Sequence, residues 1–130
     1  MKKRKSVVVT GATAGIGAAV VQAFVATGAR VFLVGRNPRK LAAGARRIPE
    51  DQLAGIGVAD LGAVEAVEDL VRQIGAQRRS IDVLVHAAGQ YGWTELGAAD
   101  LETFESLYQT NVRGAYLLTQ GLLPLLERSS

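Results

Sequence analysis

The sequence predicts a doubly wound α/β domain, a parallel sheet with helices on both faces, and three observations predict it. Four times along the 130 residues a short apolar run is followed by a stretch whose apolar residues recur at helical spacing, the alternation that builds parallel sheets through right-handed crossovers. The runs are short and apolar enough to lie inside such a sheet. Residues suited to a ligand stand just past the expected strand ends: the glycines after Thr10, then Arg36, Asp60 and Ala87 to Gly89. In sheets of this kind ligands bind beyond the carboxyl ends of the strands, where strand order reverses.

The elements follow in order. Val7-Val8-Val9 is a β-branched run that breaks into Thr10-Gly11-Ala12-Thr13-Ala14-Gly15-Ile16-Gly17 and then into Ala18-Ala19-Val20-Val21, which reads as strand, tight turn and helix start. Ile16, Ala19, Val20, Ala23, Phe24 and Thr27 recur at helical spacing, and Gly28 falls where a left-handed cap ends a helix. Arg30 to Val34 is the second strand. Gly35-Arg36-Asn37-Pro38 ends it, with Asn37 suited to cap and Pro38 to open a second helix. That helix carries Leu41, Ala42, Ala45 and Ile48 on one side and Arg39, Lys40, Arg46 and Arg47 on its wet face, until Pro49 stops it.

Leu53 to Ala59 is the third strand, ending at Asp60, and its two glycines make it the weakest of the four. From Leu61 onward Val64, Val67, Leu70, Val71 and Ile74 alternate with Glu65, Glu68, Asp69 and Arg72, an amphipathic helix. The polar turn Arg78-Arg79-Ser80 leads to a fourth strand, Ile81 to Val85, and then to His86-Ala87-Ala88-Gly89. A loop with Gly92, Trp93 and Gly97 precedes a last helix from about Asp100 to Glu127.

Composition bounds the function. A chain of 130 residues, 48% hydrophobic and 21% charged, has the size and make-up of one globular domain spanning 1–130. The absence of cysteine excludes disulfides, thiolate metal sites and cysteine nucleophiles, and a single histidine leaves little for a metal. The formal charge of +3 comes from Lys2, Lys3, Arg4 and Lys5, so the body of the chain is close to neutral. This leader, residues 1–5, reads either as a nuclear address or nucleic-acid arm or as a solvated N-terminus ahead of the first strand; the second is the expectation. The few residues between Ser6 and Gly11 are too short for the apolar segment of a secretory signal. No apolar run approaches the roughly 18 residues of a membrane span. A cytoplasmic protein without nucleic-acid or membrane partners is expected.

The glycine turn supplies the chemistry. The first turn of a helix leaves N–H groups unpaired and carries the positive end of the helix dipole, so it draws anions, and glycines let a ligand approach. A phosphate seat and an empty strand-to-helix turn both fit the octet alone. A dinucleotide-binding unit places a residue about twenty positions further on beside the adenosine ribose. Here Arg36 stands there, a planar donor fork suited to a phosphate where an acidic residue would accept from the ribose hydroxyls of NAD. NADP is therefore expected over NAD, unless Arg36 only closes a wet loop.

With these residues in place the chain resembles the short-chain dehydrogenase/reductase family, from Ser6 onward. The family's pattern of threonine-glycine, three residues, glycine, one residue, glycine is matched by Thr10, Gly11, Gly15 and Gly17, and the resemblance implies a Rossmann-type sheet. It implies a cofactor held by Gly11, Thr13, Ala14, Gly15, Ile16 and Gly17, with Arg36 and Asn37 in the NADP-preferring form of the second strand's end. Asp60-Leu61 is similar to the pair that contacts adenine. His86-Ala87-Ala88-Gly89 is similar to the family's asparagine-asparagine-alanine-glycine segment with both asparagines replaced, so Ala87, Ala88 and Gly89 would lie along the cofactor ribose. Asn111-Val112-Arg113-Gly114 resembles the segment with a catalytic asparagine, so Asn111 would bend the last helix and hold a relay water. A buried amide among Leu107, Tyr108, Ala115 and Leu118 would need such a partner, or one within the helix.

Members of this family move a hydride between nicotinamide and a carbonyl or alcohol carbon, with a tyrosine handling the proton, a lysine after three intervening residues and a serine on the substrate oxygen. In this sequence Tyr91 is followed at that spacing by Glu95, Tyr108 by Val112 and Tyr116 by Gln120, and no lysine lies beyond Lys40. The expectation is an NADP-dependent oxidoreductase's cofactor-binding half, with four strand–helix units, truncated before the fifth strand and catalytically incomplete. A self-standing NADP-binding module and a scaffold that binds nothing stay open beside it. The open edge of the fourth strand and the apolar residues after Asn111 predict self-association through the 100–127 helix, as a homo-oligomer.

Overall fold

The computed structural model describes residues 3–92 and 95–129. Lys2 of the basic leader and Trp93 of the glycine loop lie outside them. Four parallel strands, β1 (Ser6–Thr10), β2 (Arg30–Gly35), β3 (Leu53–Val58) and β4 (Val83–His86), form one sheet in the order β3-β2-β1-β4. Helices α1 (Gly15–Ala26), α2 (Pro38–Ala45), α3 (Val64–Gln77), α4 (Leu101–Tyr108) and α5 (Gly114–Glu127) complete the framework. The strand order reverses at β1, so the crevice beyond the carboxyl ends of β1 and β4 is the switch point of the sheet.

Alternate side chains of the strands feed two separate cores, as pleating requires. Val7, Val9, Val31 and Leu33 face α1 and α2 with Val21 and Leu41, whereas Val8, Phe32 and Val34 face α3 and α5 with Leu70, Ile74, Leu118 and Leu122. Burial of β1 and β2 on both sides explains their unbroken apolar sequence. Asn37 caps α2 as expected, its Oδ1 accepting from the N–H groups of Arg39 and Lys40 at 3.0 and 3.1 Å, with Pro38 opening the helix.

Three departures from the sequence reading have physical causes. The apolar stripe of α1 is displaced by about one residue: Gly17 and Val21 are buried with Phe24 and Val25 half-buried, while Ile16, Ala19, Ala23 and Thr27 are exposed. The phase is set by Gly17, whose Cα faces the Gly11 carbonyl so closely that an added Cβ would lie 1.8 Å from it. The third strand is bulged, with Val31 opposite Leu53 and Phe32 opposite Gly55; at φ +156° Gly55 also makes room for the Phe32 ring and the Gln77 side chain. The third helix starts at Val64, three residues after Leu61, because Asp60 first makes a local turn in which its Oδ1 accepts from the Gly62 N–H at 2.9 Å. The last helix is interrupted where a bend at Asn111 was expected: a π-helical turn, Gln109–Arg113, separates α4 from α5.

Candidate functional site

Thr10 is the buried polar residue of the strands and links the two halves of the crevice. Its Oγ1 accepts from the Ala88 N–H at 3.1 Å and donates to the Val85 carbonyl at 3.4 Å, so the end of β1 is fastened to the turn after β4. Gly11 follows at φ +62° with the Ala87–Ala88 backbone packed where its Cβ would be. Gly15 opens α1 at φ +56° with nothing within 4 Å of an added Cβ. No side chain caps α1 and its first turn carries no acidic residue. The result is an uncapped helix N-terminus with open space at Gly15, an arrangement suited to an anion.

The neighbouring strand ends close the crevice around a cleft of about 300 Å³. Gly11, Thr13, Ala14, Arg36, Leu61, Ala87, Ala88 and Gly89 of the expected site residues line it. Backbone hydrogen bonds fix the walls: the Ala12 N–H donates to the Val34 carbonyl at 3.1 Å and the Ala59 N–H to the Gly35 carbonyl at 3.0 Å. Asn37 lines an adjoining basic hollow with Thr13, Arg36, Arg39 and Lys40. Gly15, Ile16, Gly17, Asp60 and Asn111 stand beside these spaces without lining them. Of these, Ile16 is exposed at the start of α1, Gly17 is the buried seat of that helix, and Asp60 shapes its own loop.

Besides the strand-end residues Val34, Gly35 and Ala59, three cleft residues lay outside the expected site: Lys40, Gln90 and Thr110. Lys40 had a readable signal. Cations are unfavourable near the positive end of a helix, yet α2 begins Pro38-Arg39-Lys40 two positions after Arg36, with no acidic residue in its first turn. A cluster of that kind is electrostatically reasonable when it faces an anion.

Asn111 is placed differently from the expectation. It sits in the π turn and is exposed, and the backbone of Gln90 satisfies its amide: Nδ2 donates to the Gln90 carbonyl at 2.6 Å and Oδ1 accepts from the Gln90 N–H at 2.7 Å. Beside it, a polar hollow of about 600 Å³ runs from Gly89 to Gly92 against Asp100, Thr103 and Ser106. Asp100 accepts from the Thr103 N–H at 2.6 Å, which holds its carboxyl below the usual carboxylate range. His86 ends β4 and turns toward α5. Thr119 Oγ1 donates to the Ala115 carbonyl at 2.8 Å and so accepts from His86 Nε2 at 2.7 Å, which puts the ring proton on Nε2. Burial holds the His86 pKa below its ordinary value.

The glycine turn, the arginine at the second strand's end and the switch-point cleft are the parts of a known architecture, and the family model for short chain dehydrogenases matches residues 5–130. The chain belongs to the short chain dehydrogenase family. An uncharacterized oxidoreductase of Staphylococcus saprophyticus is 33% identical over 129 residues, covering 97% of this chain and 55% of the relative. The NADP-dependent 3-hydroxy acid dehydrogenase of Salmonella typhi is 35% identical over 125 residues, covering 95% of this chain and 50% of that enzyme. Among solved structures, a short chain dehydrogenase of Escherichia coli CFT073 complexed with NADPH superposes with a TM-score of 0.89 at 32% identity, over 97% of this chain and 55% of that one. L-Sorbose reductase of Gluconobacter frateurii, complexed with NADPH and L-sorbose, gives 0.88 at 28% identity, over 95% and 48%. This short chain dehydrogenase chain spans about half the length of the relatives it matches. Among the described residues no group of His, Asp and Glu could hold a metal, and no helix is long and apolar enough to cross a membrane.

Proposed function

We propose that this chain binds NADP(H) and forms the cofactor-binding part of an NADP-dependent oxidoreductase. The observation that carries the reading is the uncapped, glycine-lined start of α1 facing open space beside Arg36, Arg39 and Lys40, with no acidic side chain in the first turn of α1 or α2. In this reading Gly11, Thr13, Ala14, Gly15, Ile16 and Gly17 hold the pyrophosphate, and the left-handed Gly15 leaves space that any side chain would take from a ligand. Arg36, with Asn37 presenting the start of α2, reads the 2′-phosphate; Lys40 adds a second cation. Asp60 and Leu61 hold the adenine, and Ala87, Ala88 and Gly89 line the ribose. NADP complexes of similar proteins support the choice of cofactor.

The cofactor, when bound, supplies a hydride to or accepts one from a carbonyl or alcohol carbon. Asn111, already fastened to Gln90, would hold the loop after β4 against the kinked helix next to that chemistry. These residues include no tyrosine with a lysine four positions on, so the chain is proposed to bind the cofactor without turning it over alone. A positioned general acid is worth a factor of roughly a hundred to ten thousand. We place the protein in the cytoplasm and expect self-association through the 100–127 helical segment and the open edge of β4.

Titration of the purified chain with NADPH and NADH, followed by nicotinamide fluorescence, tests the reading. NADPH is expected to bind more tightly than NADH by roughly ten- to a hundredfold, the worth of a charge-assisted contact to the extra phosphate. Failure of both to bind below millimolar concentration would leave only a scaffold that keeps the fold.

A further inference from the structure

We infer that Arg113 is a positioning residue for the adenosine end of the cofactor, acting through the backbone of the loop at residues 60–62. The inference rests on the cofactor reading above. The π turn touches both walls of the cleft. On one side Asn111 grips the backbone of Gln90; on the other, Arg113 Nη2 donates to the Gly62 carbonyl at 2.7 Å. Gly62 is the residue whose N–H donates to Asp60 Oδ1 at 2.9 Å, and between the two lies Leu61, which lines the cleft. The turn also crowds the loop sterically. A Cβ on Gly114 would lie 2.2 Å from the Leu61 carbonyl oxygen, and one on Gly62 would lie 2.9 Å from Thr110 Oγ1.

Two features separate positioning from space-filling. The Gly62 carbonyl receives a charged donor, a stronger hold than a neutral one, on the loop whose two preceding residues face the adenine in our reading. Arg113 Nε is shut away from solvent with no hydrogen-bond partner among the described residues. A buried unpaired donor costs stability. Methionine, of similar length, would fill the same space without that cost, so packing alone does not account for an arginine. What the guanidinium adds is the bond from Nη2, which sets the carbonyl of Gly62 and with it the presentation of Asp60 and Leu61.

The test compares wild type, Arg113→Met and Arg113→Lys for binding of NADPH and of 2′,5′-ADP, the adenosine half alone, with thermal unfolding of each. Arg113→Met is expected to weaken both ligands by about tenfold while its melting temperature stays level or rises, because the unpaired Nε is gone. Arg113→Lys, which keeps one cationic donor, should recover part of the affinity. The inference is overturned if Arg113→Met binds as wild type does, if NADPH weakens and 2′,5′-ADP does not, if lysine recovers nothing, or if the methionine variant melts earlier or does not fold. Wild type failing to bind either ligand would instead overturn the cofactor reading, and the inference with it.

Discussion

At the scale of single residues the glycine turn divides its labour unevenly. Gly17 is fixed by the protein itself, since a Cβ there would stand 1.8 Å from the Gly11 carbonyl oxygen, whereas Gly15 meets nothing and is constrained only by its φ of +56°. Gly15→Val should therefore leave helical content by circular dichroism nearly intact while abolishing dinucleotide binding. Gly17→Val should instead fail to give a cooperative thermal transition. Arg36→Asp should move preference from NADPH toward NADH, because it replaces a phosphate donor with a carboxylate that accepts from ribose hydroxyls. An unchanged ratio of affinities would remove Arg36 as the reader of the 2′-phosphate. The residues themselves were legible where a local rule set them, as at Asn37, whose side chain caps the next two N–H groups. Gln90 and Thr110 were not, because only the tertiary fold brings their positions to one cleft.

At the scale of elements, type was legible and phase was not. Continuous valine-rich strands and the amphipathic α3 announce themselves by periodicity. The face that α1 buries depends on a backbone-to-backbone contact, Gly17 on Gly11, that no hydrophobic count registers. The bulge at Gly55 and the π turn at Gln109–Arg113 likewise answer to neighbours, the Phe32 ring in one case and the Gln90 backbone in the other. The π turn makes a prediction of its own. Asn111→Ala removes two hydrogen bonds to Gln90, each worth about 0.5–1.5 kcal/mol. The variant should melt several degrees lower, and the Gln90 amide should lose protection in hydrogen exchange; full protection would show that the loop is held by something else.

At the scale of the molecule, two titrating groups work in the same direction. Asp82 Oδ2 accepts from the Ser6 N–H at 2.7 Å and its Oδ1 from the Ser129 hydroxyl at 2.8 Å, and these contacts, the backbone one first, hold its pKa below the ordinary value. Its contribution is present above the pKa of an unfolded aspartate and is lost as pH falls through the lower, folded value. His86 is also held low, by burial, so its neutral form belongs to the folded state and acid below about pH 6.5 works against it. Thermal stability should thus fall on acidification in two stages, and His86→Gln should remove the earlier one. A second property belongs to the surface. Leu101, Phe104, Tyr108, Val112, Tyr116 and Leu123 are all exposed along α4, the π turn and α5, an apolar stripe of the kind that associates. Sedimentation should show dimers or larger species that Tyr116→Glu with Leu123→Lys disperses; a wild-type monomer at high concentration would count against association through this face.

The fastening of Thr10 to Ala88 joins residues 78 apart in sequence, and this has a consequence in time. Pairing of β1 with β2 needs only one strand–helix–strand unit, whereas β1 and β4 must close a far longer loop, an entropic barrier that slows long-range parallel pairing. One wall of the cleft is the glycine turn after β1 and the other is the segment after β4, so the cleft comes into being only with that late pairing. A ligand that spans both walls meets a nearly finished protein. It will lengthen the life of the folded state by slowing the separation of β1 from β4, and leave the early steps of folding at their own pace.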